Sequence, residues 1–130
     1  EQTTLDYDNV TSVQIAGIDI LNLDTTTART VELDIGDILD FNADALGTYN
    51  SGTFGVLPIA LVIDGNAADT VRLDRSGSDS WSMVGSGVSA GTLGIPGTEM
   101  YNISSLDPSG SALPSHYVAI DSDIIIVSNV

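Results

Sequence analysis

The sequence is short of the residues on which many binding and catalytic sites depend. Its 130 residues include no cysteine, no lysine and a single histidine. Without thiolates and with one imidazole, a zinc or iron site of the usual composition is excluded, and no disulfide supports the fold. Three arginines stand against 18 acidic side chains, giving a formal net charge of -15. So few cations argue against binding to nucleic acid or to an anionic membrane.

Motifs of the common catalytic sites are also missing. No serine lies in a G-x-S-x-G elbow, no Walker loop occurs, and the glycine-rich stretch 85–97 does not join a strand to a helix. His116, beside Tyr117 at the start of a predicted strand, is interpreted as a surface side chain. Aspartate is so abundant that no pair can be singled out for glycoside hydrolysis. We therefore expect no enzymatic activity.

Long apolar segments are absent as well. No run approaches the length of a membrane span, and no basic region followed by an apolar stretch marks a secretory signal. The length suits one domain over residues 1–130. We expect this domain to be a segment of a longer extracellular chain.

Alternating apolar residues make up much of what the sequence does contain. The pattern predicts about eight short strands separated by Gly, Asp, Asn, Ser and Pro. They are expected at 13–23 (with a bulge at Gly17), 30–34, 59–64, 70–74, 80–84, 99–103, 117–121 and 123–128. A compact β-sandwich is the expected fold. The recurring phrases L-x-L-D and V-x-L-D leave a parallel β-solenoid as the alternative.

One segment has helical rather than alternating spacing. Apolar residues at Ile35, Ile38 and Leu39, with Asp34 as the N-cap, predict a short helix at about 34–42. The glycine-rich stretches 47–57 and 85–98 are predicted as long loops, and 106–115 as a connection between late strands. The predicted core consists of Ile20, Leu33, Ile38, Leu39, Leu61, Ile63, Val71, Leu73, Trp81 and Ile125.

Calcium is the metal ion that this composition suits. Ca²⁺ takes six to eight oxygen ligands, and aspartate outnumbers glutamate 15 to 3. The loop D-G-N-A-A-D offers Asp64, Asn66 and Asp69 without the spacing of an EF-hand. A second candidate site is Asp121 with Asp123, and a third is Asp6 with Asp8. At each position the alternative is a hairpin turn or a solvated strand end.

Six parts of the sequence match a known pattern in their order and spacing: Gly17–Leu23, Thr30–Leu39, Leu61–Leu73, Trp81, Met100–Ile103 and Val118–Ile124. Together they resemble a domain of very large bacterial proteins secreted by type I systems, the RTX and biofilm-associated adhesins. Members carry, in the same order, a G-I-E-T-L-x-L strand, a T-L-x-L-x-x-x-D-V-L segment, a strand ending in V-D-G-D-A-G-D-T-V-x-L, a Trp, a Tyr strand and a final L-x-V-D-x-D-V strand. Asn66 and Ala68 depart from the Asp and Gly of that pattern.

The resemblance implies a non-catalytic, extracellular adhesion module of the bacterial cell surface, next to other domains of the same chain and in a calcium-containing medium. One alternative is a self-assembling subunit of an extracellular filament or surface layer, joined to identical subunits through edge strands and glycine-rich loops. Another is a carbohydrate-binding module. Its rings for stacking on sugar would come from Tyr7, Tyr49, Trp81, Tyr101 and Tyr117.

Overall fold

A computed structural model describes residues 3–6, 20–23, 27–33, 47–52, 55–74, 80–107 and 117–129. Side chains are described for all of these except 3–6, 106 and 107. In chain order the strands are β1 (Thr3–Asp6), β2 (Ile20–Asn22), β3 (Arg29–Leu33), β4 (Thr48–Asn50), β5 (Val56–Asp64), β6 (Thr70–Leu73), β7 (Ser80–Ser89), β8 (Met100–Asp107), β9 (Tyr117–Asp121) and β10 (Ile125–Ser128). A one-turn helix, α1 (Ala90–Leu93), lies between β7 and β8.

The strands form two sheets. One has the order β1-β3-β6-β10, with every neighbouring pair parallel. The other has the order β2-β5-β9-β8-β7, parallel from β2 to β9 and antiparallel beyond it, while β4 adds to β5 in the antiparallel sense. Buried apolar side chains from both sheets form one core between them. The prediction of a mainly β, sandwich-like domain is confirmed.

Within the sandwich, three strand–loop–strand units are stacked on one another. The units are β2–β3, β5–β6 and β9–β10, and each sends its first strand to the six-stranded sheet and its second to the four-stranded sheet. The recurring L-x-L-D phrases fall on the first two units. The antiparallel strands β8 and β7 then follow β9 in the six-stranded sheet, so the stack does not continue as a solenoid.

The pattern of apolar residues in each strand matches how deeply the strand is buried. The near-continuous apolar run of β5 and all of β9 are buried, because these strands are covered on both faces. In β6 the buried residues Val71 and Leu73 alternate with half-exposed Thr70 and Arg72, as expected of a strand with one solvated face. A break in register between Ile59 and Leu61 marks a bulge in β5.

Trp81 fixes the start of β7 in the core. Its ring is buried with the core between the sheets, and its indole N–H donates to the carbonyl oxygen of Asp74 at 2.9 Å. Asn129, in a left-handed conformation, accepts from the backbone N–H of Trp81 at 2.7 Å and donates to its carbonyl oxygen at 3.1 Å. The Asn129 side chain thus joins the start of β7 to the end of β10.

A second apolar cluster covers the outer face of the six-stranded sheet. Ala90, Leu93 and Ile95, from α1 and the residues after it, pack there with Ile103 of β8. The Ser89 side chain caps α1 by accepting from the N–H of Thr92 at 3.3 Å. The stretch 85–98 therefore contains the end of β7 and a helical turn, where the sequence predicts a long loop. Strand β4 likewise lies in the stretch 47–57, also predicted as a loop.

For two residues the prediction of a core position is wrong. Ile20 is 42 % exposed and Ile125 is 53 % exposed, because both point outward from the strands that are outermost in their sheets among the described residues. The other predicted core residues for which the structure describes a side chain are buried: Leu33, Leu61, Ile63, Val71, Leu73 and Trp81. The predicted helix at 34–42, with Ile38 and Leu39, lies outside the described residues, as do Tyr7, Asp8, Gly17, His116 and the side chain of Asp6.

Candidate functional site

Three polar side chains meet where the parallel strands of the six-stranded sheet end. Asn22 of β2 pairs with Asp64 of β5. Ile63 of β5 pairs with Ile120 of β9, so Asp64 and Asp121 follow side by side on the next strand positions. Neighbouring strands are about 4.8 Å apart, and residues level with one another point to the same face. Parallel stacking therefore brings one polar residue from each of the three units to the same edge of the sheet.

These side chains line a cleft of about 300 Å³, which we call the acidic cleft. The other lining residues are Gly65 and Asn66 from the loop after β5, Glu99 from the residue before β8, and Asp123 from the loop after β9. The lining thus includes four carboxylates and two amide side chains, and none of the seven residues is basic. The electrostatic potential in the cleft is therefore negative.

Asp121 is the most deeply buried of the four acids, at 4 % exposure. One carboxylate oxygen accepts from the N–H of Asp123 at 2.9 Å. Burial raises the pKa of Asp121 above its ordinary value, and the nearby charges of Asp123 and Asp64 raise it further. Backbone N–H groups of Asp123 and Gly65 oppose this rise by stabilising the carboxylate. Ionised Asp121 is thus held at a cost in free energy.

Tyr101 forms the boundary between the acidic cleft and the apolar cluster beside it. Its ring is buried, and its hydroxyl donates to a carboxylate oxygen of Asp64 at 2.5 Å. Burial is the largest cause that raises the pKa of Tyr101 far above its ordinary value. The hydrogen bond to Asp64 and the charges of Asp64, Asp121 and Glu99 add to it. The hydroxyl therefore stays protonated and acts as a fixed donor to Asp64.

Asp69 is placed differently from the acids of the cleft. It is fully buried on the inner side of the loop between β5 and β6. One carboxylate oxygen accepts from the N–H of Arg29 and the other from the N–H of Asn66, both at 2.9 Å. Its carbonyl oxygen accepts from the N–H of Ile125 at 3.1 Å. Asp69 therefore links all three stacked units through backbone groups.

Of the five predicted metal ligands whose side chains the structure describes, four line the acidic cleft. Asp64 and Asn66, predicted as one site, lie beside Asp121 and Asp123, predicted as another, whereas Asp69 does not line the cleft. Asn22 and Glu99 were missed. Asn22 lies level with Asp64 through the register of β2 on β5, which the recurring phrases of the sequence do not reveal. Glu99 reaches the cleft because β8 pairs antiparallel with β9, and the sequence carries no signal for that pairing.

The donor atoms of the cleft suit a hard cation. Carboxylate and amide oxygens are the ligands that Ca²⁺ prefers, and the cleft holds no nitrogen or sulfur ligand of the kind that zinc requires. Among the described residues, no three acidic or histidine side chains are gathered closely enough to hold one ion as they stand. Glu99 and Asp123 are exposed side chains at the rim, whose rotamers would have to change to complete a coordination shell.

Most of the aromatic residues considered for sugar binding are inside the molecule. Trp81, Tyr101 and Tyr117 are at most 4 % exposed. Tyr49 is half-buried, with its ring packed edge-on against Tyr117 at a centroid distance of 5.5 Å. Buried rings offer no face to a sugar.

Comparisons of the chain with protein-family models, with curated proteins and with solved structures gave no match. The adhesin resemblance therefore depends on the sequence segments quoted above. Within the part of the chain that the structure describes, no helix has the length and apolar character needed to cross a membrane.

Proposed function

We propose that this chain is a non-catalytic structural module of an extracellular bacterial surface or adhesion protein, stabilised by calcium in the acidic cleft. One observation carries the proposal: the oxygen ligands of the cleft come from all three stacked units. Asn22 belongs to the first unit, Asp64 and Asn66 to the second, and Asp121 and Asp123 to the third. A cation held by these groups would tie the ends of the three units together.

The electrostatics of the cleft favour the same role. Asp64 and Asp121 lie next to each other in the ladder, and the pKa of Asp121 is raised by burial and by its acidic neighbours. A divalent cation would remove this repulsion and would bind the folded state in preference to the unfolded chain. At a free calcium concentration about 100 times Kd, the gain in stability is roughly 2.7 kcal/mol.

The composition supports an extracellular setting. A chain with no cysteine needs no oxidative folding, and its formal net charge of -15 calls for counter-ions such as those of a calcium-containing medium. The resemblance to adhesin domains points the same way. In such a setting, the partners of the module are neighbouring domains of its own chain.

Thermal unfolding in calcium and in magnesium at equal ionic strength tests the cleft. We expect calcium to raise the melting temperature several degrees more than magnesium, which demands a tighter octahedral shell. Asp123→Asn should reduce this difference, because it removes an exposed carboxylate of the cleft. Asp74→Asn is the matched control: it removes the same charge at the far end of β6, where Asp74 contacts Arg72.

Equal shifts in melting temperature from calcium and magnesium in wild type, Asp123→Asn and Asp74→Asn would contradict calcium binding and leave only general charge screening.

The extracellular setting needs a separate test. Antibodies raised against the folded chain should label intact cells that produce the protein natively. Labelling that appears only after the cells are lysed would overturn the proposed location, whatever the result with calcium.

Strand β10 favours a second candidate, a self-assembling subunit. It is the last strand of the four-stranded sheet among the described residues, and its outward side chains Ile125 and Val127 are 53 % and 39 % exposed. An exposed apolar edge strand can pair with another chain. The -15 charge opposes such association at low salt, so assembly should strengthen as salt is added.

Light scattering over a range of protein concentrations separates the two candidates. A subunit should grow in mass with concentration, and Ile125→Lys should prevent this growth. Val56→Lys places the same charge at a position that is 63 % exposed on β5, and it should have no effect. A monomeric mass at every concentration and salt would contradict assembly and leave the single structural module.

A further inference from the structure

We draw no further inference here: the strongest candidate, the acidic cleft at the ends of β2, β5 and β9, belongs to the site already described, and among the described residues no second feature of that cleft points to a particular ligand.

Discussion

The interior between the two sheets and the acidic cleft outside them both bury aspartate, but with different neighbouring charges. In the interior, the two carboxylate oxygens of Asp69 accept backbone N–H groups of Arg29 and Asn66. In the cleft, Asp121 is buried to nearly the same degree, but its neighbours include the carboxylates of Asp64 and Asp123. Both aspartates accept backbone N–H groups, but the outer one also lies among like charges.

The difference shows that burial alone does not decide what a carboxylate does for stability. A buried carboxylate satisfied by backbone donors fixes the chain around it, and its loss leaves those donors unpaired. A buried carboxylate among other acids stores unfavourable electrostatic energy, which a proton or a cation can relieve. We therefore expect substitutions in the interior to destabilise the protein and substitutions of the exposed acids of the cleft, Glu99 and Asp123, to cost little.

The largest effect is expected for Leu61→Ala. Leu61 lies on the inner face of β5 and is fully buried, so its truncation should lower the free energy of unfolding by about 2–5 kcal/mol. Urea unfolding followed by tryptophan fluorescence would measure this, because Trp81 lies in the same cluster. Ile125→Ala, at an exposed position, is the control and should change stability by less than about 0.5 kcal/mol. Similar losses from both substitutions would place Leu61 outside the core.

A smaller loss is expected for Asp69→Asn. The amide of asparagine has one acceptor oxygen where the carboxylate has two, so its nitrogen would face one of the two backbone N–H groups. That buried donor would be left unpaired, at a cost of about 1–3 kcal/mol. Asp123→Asn, at an exposed position in the cleft, is the matched charge change and should have little effect in calcium-free buffer. If the two variants unfolded at the same urea concentration, the two regions would not differ as described.

Tyr101→Phe tests the boundary of the two regions. The substitution removes the hydroxyl that donates to Asp64 at 2.5 Å and should cost about 1.5 kcal/mol, since the acceptor is charged. Tyr49→Phe removes a hydroxyl that donates to the neutral carbonyl of Val84 at 3.0 Å, and it should cost less. An equal or larger loss of stability from Tyr49→Phe would show that the hydrogen bond to Asp64 is no stronger than the one to Val84.

The smallest effect concerns the pH dependence of stability. The pKa of Asp121 is raised in the folded protein above its ordinary value of 3.8, so the folded state binds this proton more tightly than the unfolded chain. Its contribution to stability therefore rises as pH falls through the folded pKa, and it levels off below the ordinary value. Asp121→Asn should reduce the gain in stability between pH about 7 and pH about 4.

Asp74→Asn serves as the control for this pH measurement, because it removes one carboxylate outside the cleft. Urea unfolding at each pH gives the free energies to be compared. Identical pH profiles for wild type and Asp121→Asn would mean that the cleft does not raise the proton affinity of Asp121.

Patterns visible in the sequence were enough to predict the class of fold and the placement of its central strands. Alternating apolar residues predicted β-structure, because successive side chains of a strand point to opposite faces. The continuous apolar run at 59–63 is typical of a strand buried on both sides, as this part of β5 is. The aspartate-rich, lysine-free composition indicated that side-chain oxygens are the ligands the protein can offer to a metal ion. These properties depend on neighbouring residues or on composition, which a single sequence displays directly.

Which acids share a site and which lie inside depends on contacts between residues far apart in the sequence. The sequence presents Asp64 and Asp121 as two separate candidates, and parallel pairing of β5 with β9 makes them neighbours. Asp69 ends the loop that begins after Asp64, but its carboxylate lies on the inner side, where it accepts the N–H of Arg29 from another unit. In the run of three isoleucines at 124–126, alternation alone could not show that Ile125 points outward. Such outcomes depend on register between distant strands, which is set by packing of the whole domain.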